Sequence, residues 1–254
     1  MPAAIRRVGI GVATDAEKVI ASIPPLLGQC DVICYCSPGA LSSLTLPDGI
    51  QVHEDPHPEQ ALVGDLSSGT IDAAVRGTLP ANTTLSALKK AMGVDHLERI
   101  ALLETAGGIK FLLAPVGVDE GWTVDEKVGL IKKGRTIARK FGLAEKVGVL
   151  SGGRLGDIGR HARVDASIAD AEQVARQIEA THCEILIEDA VGKYGLIIAP
   201  DGISGNLIFR TLVFLGAGYG HGAPVVNIGR IFVDTSRASP NYTNALLLAV
   251  SLLE

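Results

Sequence analysis

The chain has 254 residues, 47% of them hydrophobic and 20% charged, and a formal net charge of −5. At this length a fold buries roughly 70–75% of the surface its unfolded chain exposes, so no disulfide or metal staple is required. An acidic balance with 4% aromatic residues argues against nucleic acid as a partner, which calls for a basic stripe or stacking platforms, and no apolar run reaches the ~20 residues of a membrane span.

Short apolar runs bounded by turn residues predict strands at Arg7–Ala13, Asp31–Cys36, Ile50–His53, Ile71–Val75, Ile100–Leu103, Ile109–Ala114, Val147–Leu150, Glu184–Ile187, Gly195–Ala199 and Val225–Val233. Between them, helices are expected near 15–27, 58–69, 83–92, 123–141, 166–181, 205–215 and 241–253. The clearest is 123–141, where Val124, Val128, Ile131, Ala138 and Phe141 share a face and Gly142 follows as a cap. Strands alternating with helices imply mostly parallel sheet with right-handed crossovers, and Ala106-Gly107-Gly108 reads as the turn of a β-hairpin. The helix over Leu207–Leu215 is apolar nearly all round, so it is either enclosed by its own lobe or closes an interface. Ten strands are many for one sheet, and a polar loop at Val116–Gly121 marks a soft boundary. The expected architecture is two α/β lobes, 1–117 with 226–254 in the first and 118–225 in the second, with a cleft between them. Cys30, Cys34, Cys36 and Cys183 lack paired C-x-x-C spacing and read as reduced core thiols of an intracellular protein. Arg6 and Arg7 lead into a strand and not an apolar leader, so a cytoplasmic location is expected.

In open α/β sheets ligands bind beyond the carboxyl ends of strands, where loops enter helices. Four such loops carry small residues. Arg76-Gly77 follows one strand, with Thr83-Thr84 expected to cap the next helix. Ser151-Gly152-Gly153-Arg154 follows another. Asp201, Ser204, Gly205 and Asn206 open an apolar helix, and Ser236-Arg237 precedes a helix expected to start with Ser239 as cap and Pro240 at its first position. Glycine lets backbone approach a ligand, helix N-termini offer free N–H groups, and arginine adds a planar fork for phosphate or carboxylate. Together they suggest a site for a small anionic substrate or coenzyme.

Other signals are weaker. Gly153-x-x-Gly156-x-x-Gly159 lacks the opening of a dinucleotide loop, and Gly216-x-Gly218-x-Gly220-x-Gly222 follows a helix where such a loop would precede one. His53 and His57 cannot share a helix with Pro56 and Pro58 between and beside them, and are expected in a solvated loop. Glu188-Asp189 reads as a polar strand end. No metal site is expected, and no cofactor is identified by the residues.

Ala199-Pro200-Asp201-Gly202-Ile203-Ser204-Gly205-Asn206, the stretch Gly216–Pro224 and Asp234-Thr235-Ser236-Arg237 together resemble the phosphate acetyl/butyryltransferases. Val149-Leu150-Ser151 and Asp72–Gly77 fit the same scaffold in order. The resemblance implies two three-layer α/β/α lobes of the phosphate acetyltransferase and isocitrate dehydrogenase type, a site in the interlobe cleft, and a homodimer paired through the middle lobe. Within that superfamily the short chain and the run Ser236–Ala245 resemble the MtxX family of methanogenesis marker proteins. That resemblance implies a methyltransferase related to tetrahydromethanopterin S-methyltransferase. It points to Ser236 and Arg237 as the catalytic pair, with Arg76, Gly77, Ser151, Gly152, Gly153, Arg154, Asp201, Ser204, Gly205 and Asn206 binding the anion. Where the acyltransferases carry an aspartate as base for the coenzyme A thiol, six residues after the arginine, this chain has Thr243, preceded by Tyr242. Threonine is no general base near neutral pH. A methyltransferase is therefore the first reading, with an acyl-phosphate or acyl-CoA transferase and a non-catalytic binding protein as alternatives.

Overall fold

The structure, a computed structural model, describes residues 6–254. In chain order the elements are β1 (Arg7–Val12), α1 (Ala16–Ile20), β2 (Asp31–Cys36), β3 (Ile50–Glu54), α2 (Pro58–Ser68), β4 (Ala73–Val75), α3 (Ala81–Met92), β5 (Ala101–Glu104), β6 (Lys110–Ala114) and α4 (Val124–Lys140). They continue with β7 (Val147–Val149), α5 (Ala162–Ile178), β8 (Thr181–His182), α6 (Ile187–Ala190), β9 (Leu196–Ile198), α7 (Gly202–Phe214), β10 (Tyr219–Gly220), β11 (Ala223–Pro224), β12 (Ile231–Asp234) and α8 (Thr243–Leu252). The chain divides into two compact units, Met1–Leu97 with Gly222–Glu254, and Glu98–His221.

The first unit holds a sheet of order β11-β12-β4-β1-β2-β3. All its pairings are parallel except β11 with β12. Ile33, Tyr35, Ala74 and Phe232 point from it into a core with Leu62, Leu66 and Leu88 of α2 and α3. Gly9 in β1 is the reason α2 can lie so close: a Cβ there would stand 2.7 Å from Leu62. Val8, Ile10 and Val12 alternate to the other side of β1 and are fully buried.

The second unit holds a sheet of order β10-β5-β6-β9-β7-β8. β5 and β6 form the expected hairpin, with Glu104 opposite Lys110, and β6, β9, β7 and β8 run parallel. The hairpin therefore belongs to this sheet, and the first unit ends at Leu97 where the sequence reading carried it to 117. α4 starts on a capping box. The Thr123 hydroxyl accepts from the Glu126 N–H, and the Glu126 carboxylate accepts from the Thr123 N–H.

Several local expectations are corrected. Residues 184–187 are not a strand: β8 is Thr181–His182, and Glu188 and Asp189 fall in the first turn of α6. The expected strand Val225–Val233 is a hairpin, β11 and β12, turned through Gly229 at a φ of +63. α8 begins at Thr243 and not beside Ser239, and α3 begins at Ala81. The Thr83 and Thr84 hydroxyls donate back to the Pro80 carbonyl and do not cap the helix. His53 lies in β3, stacked on Tyr35 at 4.9 Å between ring centroids, and is not in a solvated loop. The four cysteines are free thiols; Cys30, Cys34 and Cys36 are buried as expected, but Cys183 is only partly buried and is not a core thiol.

Candidate functional site

In the first sheet the chain runs outward from β1 through β2 to β3, then returns to place β4 on the other side of β1. The carboxyl ends of β1 and β4 thus flank the point where strand order reverses, the usual place for a ligand in such sheets. Thr78, fully buried, accepts from the amides of Ala13 at 2.9 Å and Thr14 at 3.2 Å, tying the loops after β4 and β1 together. Gly77 has a φ of +59, and a Cβ would press on the Gly11 carbonyl, so only glycine seats this turn. The Thr235 hydroxyl donates to the Gly77 carbonyl at 3.0 Å and brings in the loop after β12.

The two arginines at this end differ in kind. Arg76 is 5% exposed, with Nε donating to the Asp234 carboxylate at 2.5 Å and Nη1 to the Leu79 carbonyl at 2.7 Å. Arg237 is exposed, and its guanidinium makes no hydrogen bond or ion pair among the described residues. Its backbone is nevertheless held: Lys18 Nζ donates to its carbonyl at 3.0 Å, and the Tyr242 hydroxyl donates to the neighbouring Ser236 carbonyl at 3.2 Å. Burial pushes the Tyr242 phenol up to about 12, so it stays protonated at neutral pH. Thr243 donates its hydroxyl to the Ser22 carbonyl at 2.9 Å and serves as the first residue of α8.

In the second sheet the connection from β7 leads outward to β8, while that from β9 leads the other way through α7 to β10. Strand order reverses between β7 and β9, and Ser151–Arg154 and Asp201–Asn206 follow these two neighbours. Ser151 is buried. Its hydroxyl donates to the Gly153 carbonyl at 2.8 Å, so the contact with His182 Nε2 at 2.8 Å has the imidazole N–H as donor. The Gly152 amide donates to the Ser167 hydroxyl, and the Arg154 amide to Asp157, leaving the Arg154 side chain exposed. That amide and the Arg160 guanidinium hold the Asp157 carboxyl below its ordinary range.

Asp201 caps α7 by accepting from the Ser204 amide at 2.8 Å, and Asn206 donates to the Val116 carbonyl at 2.9 Å. Gly202 and Gly205 seat the first turn of α7 against the carbonyls of Gly117 and Pro115, where any Cβ would collide. Sequence reasoning missed the brace of this loop. Glu120 is 2% exposed and accepts from Arg99 Nε at 2.6 Å, the Arg99 amide at 3.1 Å and the Gly117 amide at 3.3 Å. Burial pushes the Glu120 carboxyl up, and the Arg99 guanidinium opposes it. No spacing rule joins residues 99 and 120; an acidic pair set between Gly117 and Gly121 was the only signal.

The structure thus gathers Arg76, Gly77, Ser236 and Arg237 at one sheet end. At the other it gathers Ser151, Gly152, Gly153 and Arg154 with Asp201, Ser204, Gly205 and Asn206. Among the described residues no group of three His, Cys, Asp or Glu side chains is placed to hold a metal.

Mixed, mainly parallel sheets with helices between their strands make this an α/β protein of the phosphotransacylase fold. A branched-chain phosphotransacylase from Enterococcus faecalis V583 superposes with a TM-score of 0.73 at 18% identity, covering 98% of this chain and 100% of that one. Compared with models of known protein families, the chain matches none. It is 46% identical over 97% of its length to "Putative methyltransferase mtx subunit X" of Methanosarcina mazei, covering 90% of that protein. It is 50% identical over 80% of its length to the protein of the same name in Methanosarcina barkeri, covering 77% of it. The chain belongs to this mtx subunit X family.

Proposed function

We propose that the chain is a transferase of the methyltransferase type, acting in the cytoplasm as a homodimer on a small anionic substrate or coenzyme, with Ser236 and Arg237 at the reacting end. The observation that carries the reading is Arg237 itself. Its backbone is fixed by Lys18 and Tyr242, while its guanidinium stands exposed at the reversal of strand order. A fixed backbone with an open fork suits phosphate, carboxylate or sulfonate. The names of the methanogen relatives support methyl transfer and a link to methanogenesis. Methyl transfer develops little oxyanion, so positioning donor against acceptor matters more than acid–base help. The residues fit that: Thr243 is committed to the Ser22 carbonyl, and Tyr242 keeps its proton.

Calorimetric titration with phosphate, coenzyme M and coenzyme A tests the reading. Arg237→Ala should weaken anion binding at least about tenfold, as a charge-assisted contact contributes about 1.5–3 kcal/mol, and Arg237→Lys should rescue it in part. Unchanged affinity in a folded Arg237→Ala protein rejects the site. Turnover of acetyl phosphate with coenzyme A would replace the reading by an acyltransferase, and tight binding without turnover of methyl or acyl donors by a binding protein.

A further inference from the structure

The loop after β1 sets a second open charge beside Arg237. Asp15 lies three residues past β1 and immediately before α1, and its side chain is 65% exposed. An aspartate in that position ordinarily has extended backbone and accepts from an amide of the first helical turn. Asp15 does neither: its backbone is left-handed, with a φ of +48 and a ψ of +47, and its carboxylate caps no amide of α1. Its Oδ2 instead meets Lys18 Nζ at 3.3 Å, and that same ammonium donates to the Arg237 carbonyl at 3.0 Å. Lys18 also lies over the Tyr242 ring, 5.5 Å from its centroid, so its charge is taken up among its neighbours. One ammonium thus bridges the two residues, yet Asp15 and Arg237 make no ion pair with each other among the described residues. Burial raises the Tyr242 phenol, and after burial the charges of Arg76, Asp15 and Arg237 act on it, so all three lie within electrostatic reach of one hydroxyl.

Two opposite charges left open at the reversal of strand order suit a ligand that carries both signs. Lys18 occupies Oδ2 of Asp15, and Oδ1 has no hydrogen bond among the described residues. A carboxylate oxygen only accepts, so what meets it must donate, and a cationic donor gains charge attraction as well. The Arg237 guanidinium only donates, so it takes the acceptor end of the same molecule. We infer that the ligand is bipolar: its anionic group rests on Arg237, and a primary or secondary ammonium group rests on the Asp15 carboxylate. This rests on the anion site proposed above, to which Asp15 adds selection between anions. Asp15 takes no part in the chemistry; it determines which anions are held. If it served only α1, as one half of an exposed pair with Lys18 three residues on, its loss would alter every ligand alike.

Taurine and ethanesulfonate share a sulfonate on a short carbon chain and differ by an ammonium group. The pair 3-aminopropanesulfonate and propanesulfonate extends the span by a methylene. In calorimetric titration the parent should bind at least one amino compound about fivefold tighter than its counterpart without the amine, the upper end for an ion pair that keeps contact with water. Asp15→Asn keeps the left-handed backbone, which asparagine adopts as readily, so the variant folds. It should erase the preference and leave ethanesulfonate bound no more weakly than by the parent. Arg237→Ala should weaken all of these compounds. Equal affinity of the parent within both pairs overturns the bipolar ligand, as does a preference that survives Asp15→Asn. Equal weakening of every compound by Asp15→Asn, or a parent that binds none of them, overturns it too. The two readings fail separately. A preference erased by Asp15→Asn, in a protein whose affinities ignore Arg237→Ala, keeps the carboxylate contact and rejects Arg237 as the holder of the anion. No preference, in a protein weakened by Arg237→Ala, rejects the contact and keeps the anion site.

Discussion

The carboxyl ends of the two sheets are built from the same two parts, arranged differently. Each has one buried arginine–carboxylate pair, Arg76 with Asp234 at 2.5 Å and Arg99 with Glu120 at 2.6 Å. Each also has one exposed arginine on a pinned loop, Arg237 and Arg154. In the first unit the pair joins neighbouring parallel strands, one step beyond the register Val75 opposite Val233. In the second it joins the segment before β5 to the loop after β6, two antiparallel neighbours. An arginine next to a carboxylate on the adjacent strand becomes a brace. An arginine held only through its backbone stays available. Sequence spacing does not distinguish them; strand pairing does.

The comparison breaks most sharply at the braces. Arg76→Ala leaves the largely buried Asp234 carboxylate, 12% exposed, without the Arg76 guanidinium and should cost about 3–5 kcal/mol in chemical denaturation. Arg99→Ala should cost a similar amount through Glu120. Arg237→Ala should stay within about 0.5 kcal/mol of the parent, as exposed substitutions do. If Arg76→Ala were as stable as Arg237→Ala, the division into braces and open arginines would fail. Next in size is Gly77→Ala. Both Gly77 and Gly93 have positive φ, +59 and +66, but only at Gly77 would a Cβ meet backbone, the Gly11 carbonyl. Thermal melts should show Gly93→Ala costing backbone strain alone, about 1 kcal/mol at the lower end of that range, and Gly77→Ala clearly more.

A smaller effect sharpens the account of the second unit. His182→Leu removes the N–H donor to Ser151 and should cost about 0.5–1.5 kcal/mol, with faster exchange at the Gly152 amide. His182→Gln, which keeps an N–H donor at similar reach, should recover most of both. Equal loss in the two variants would mean that ring packing, and not the hydrogen bond, holds the loop.

Much of this was legible in the chain. β2 runs Asp31–Cys36, as its apolar run predicts, and Thr123 with Glu126 starts α4 where the periodicity places it. Boundaries failed where a side chain overrode the pattern. α7 starts at Gly202, not near 205, because Asp201 caps it, and α5 starts at Ala162 because His161 Nδ1 accepts from the Arg163 amide. The apolar run 225–233 hides a turn that only Gly229 betrays. At the candidate site the loops were visible as glycine, serine and arginine after strands. Which arginine faces solvent was not, because Arg76 and Asp234 are 158 positions apart and meet only through the pairing of β4 with β12.

The smallest expected effect lies at Arg154, the open arginine of the second unit. Its amide donates to Asp157 at 2.9 Å, and Arg160 Nη1 donates to the same carboxylate at 2.6 Å. Both favour the ionised acid, and the Asp157 carboxyl is lowered from its ordinary value. A carboxyl lowered in the folded state stabilises the fold above its unfolded pKa, about 3.9 for aspartate, and the contribution is lost as pH falls through the folded value. The loop Gly153–Arg160 should therefore hold its order from neutral pH down to about pH 4 and loosen below it. The fold as a whole should respond less, because the acid is on the surface and the interaction is screened. Protection of the Arg154 amide against hydrogen exchange, corrected for intrinsic rate, follows this directly. In Asp157→Asn the protection should be lower near neutrality and flat across the acid range. A parent whose protection is also flat through the acid range would show that the loop is ordered by Ser167 and Glu184 without the charge on Asp157, since both accept from its amides as well, at Gly152 and Leu155.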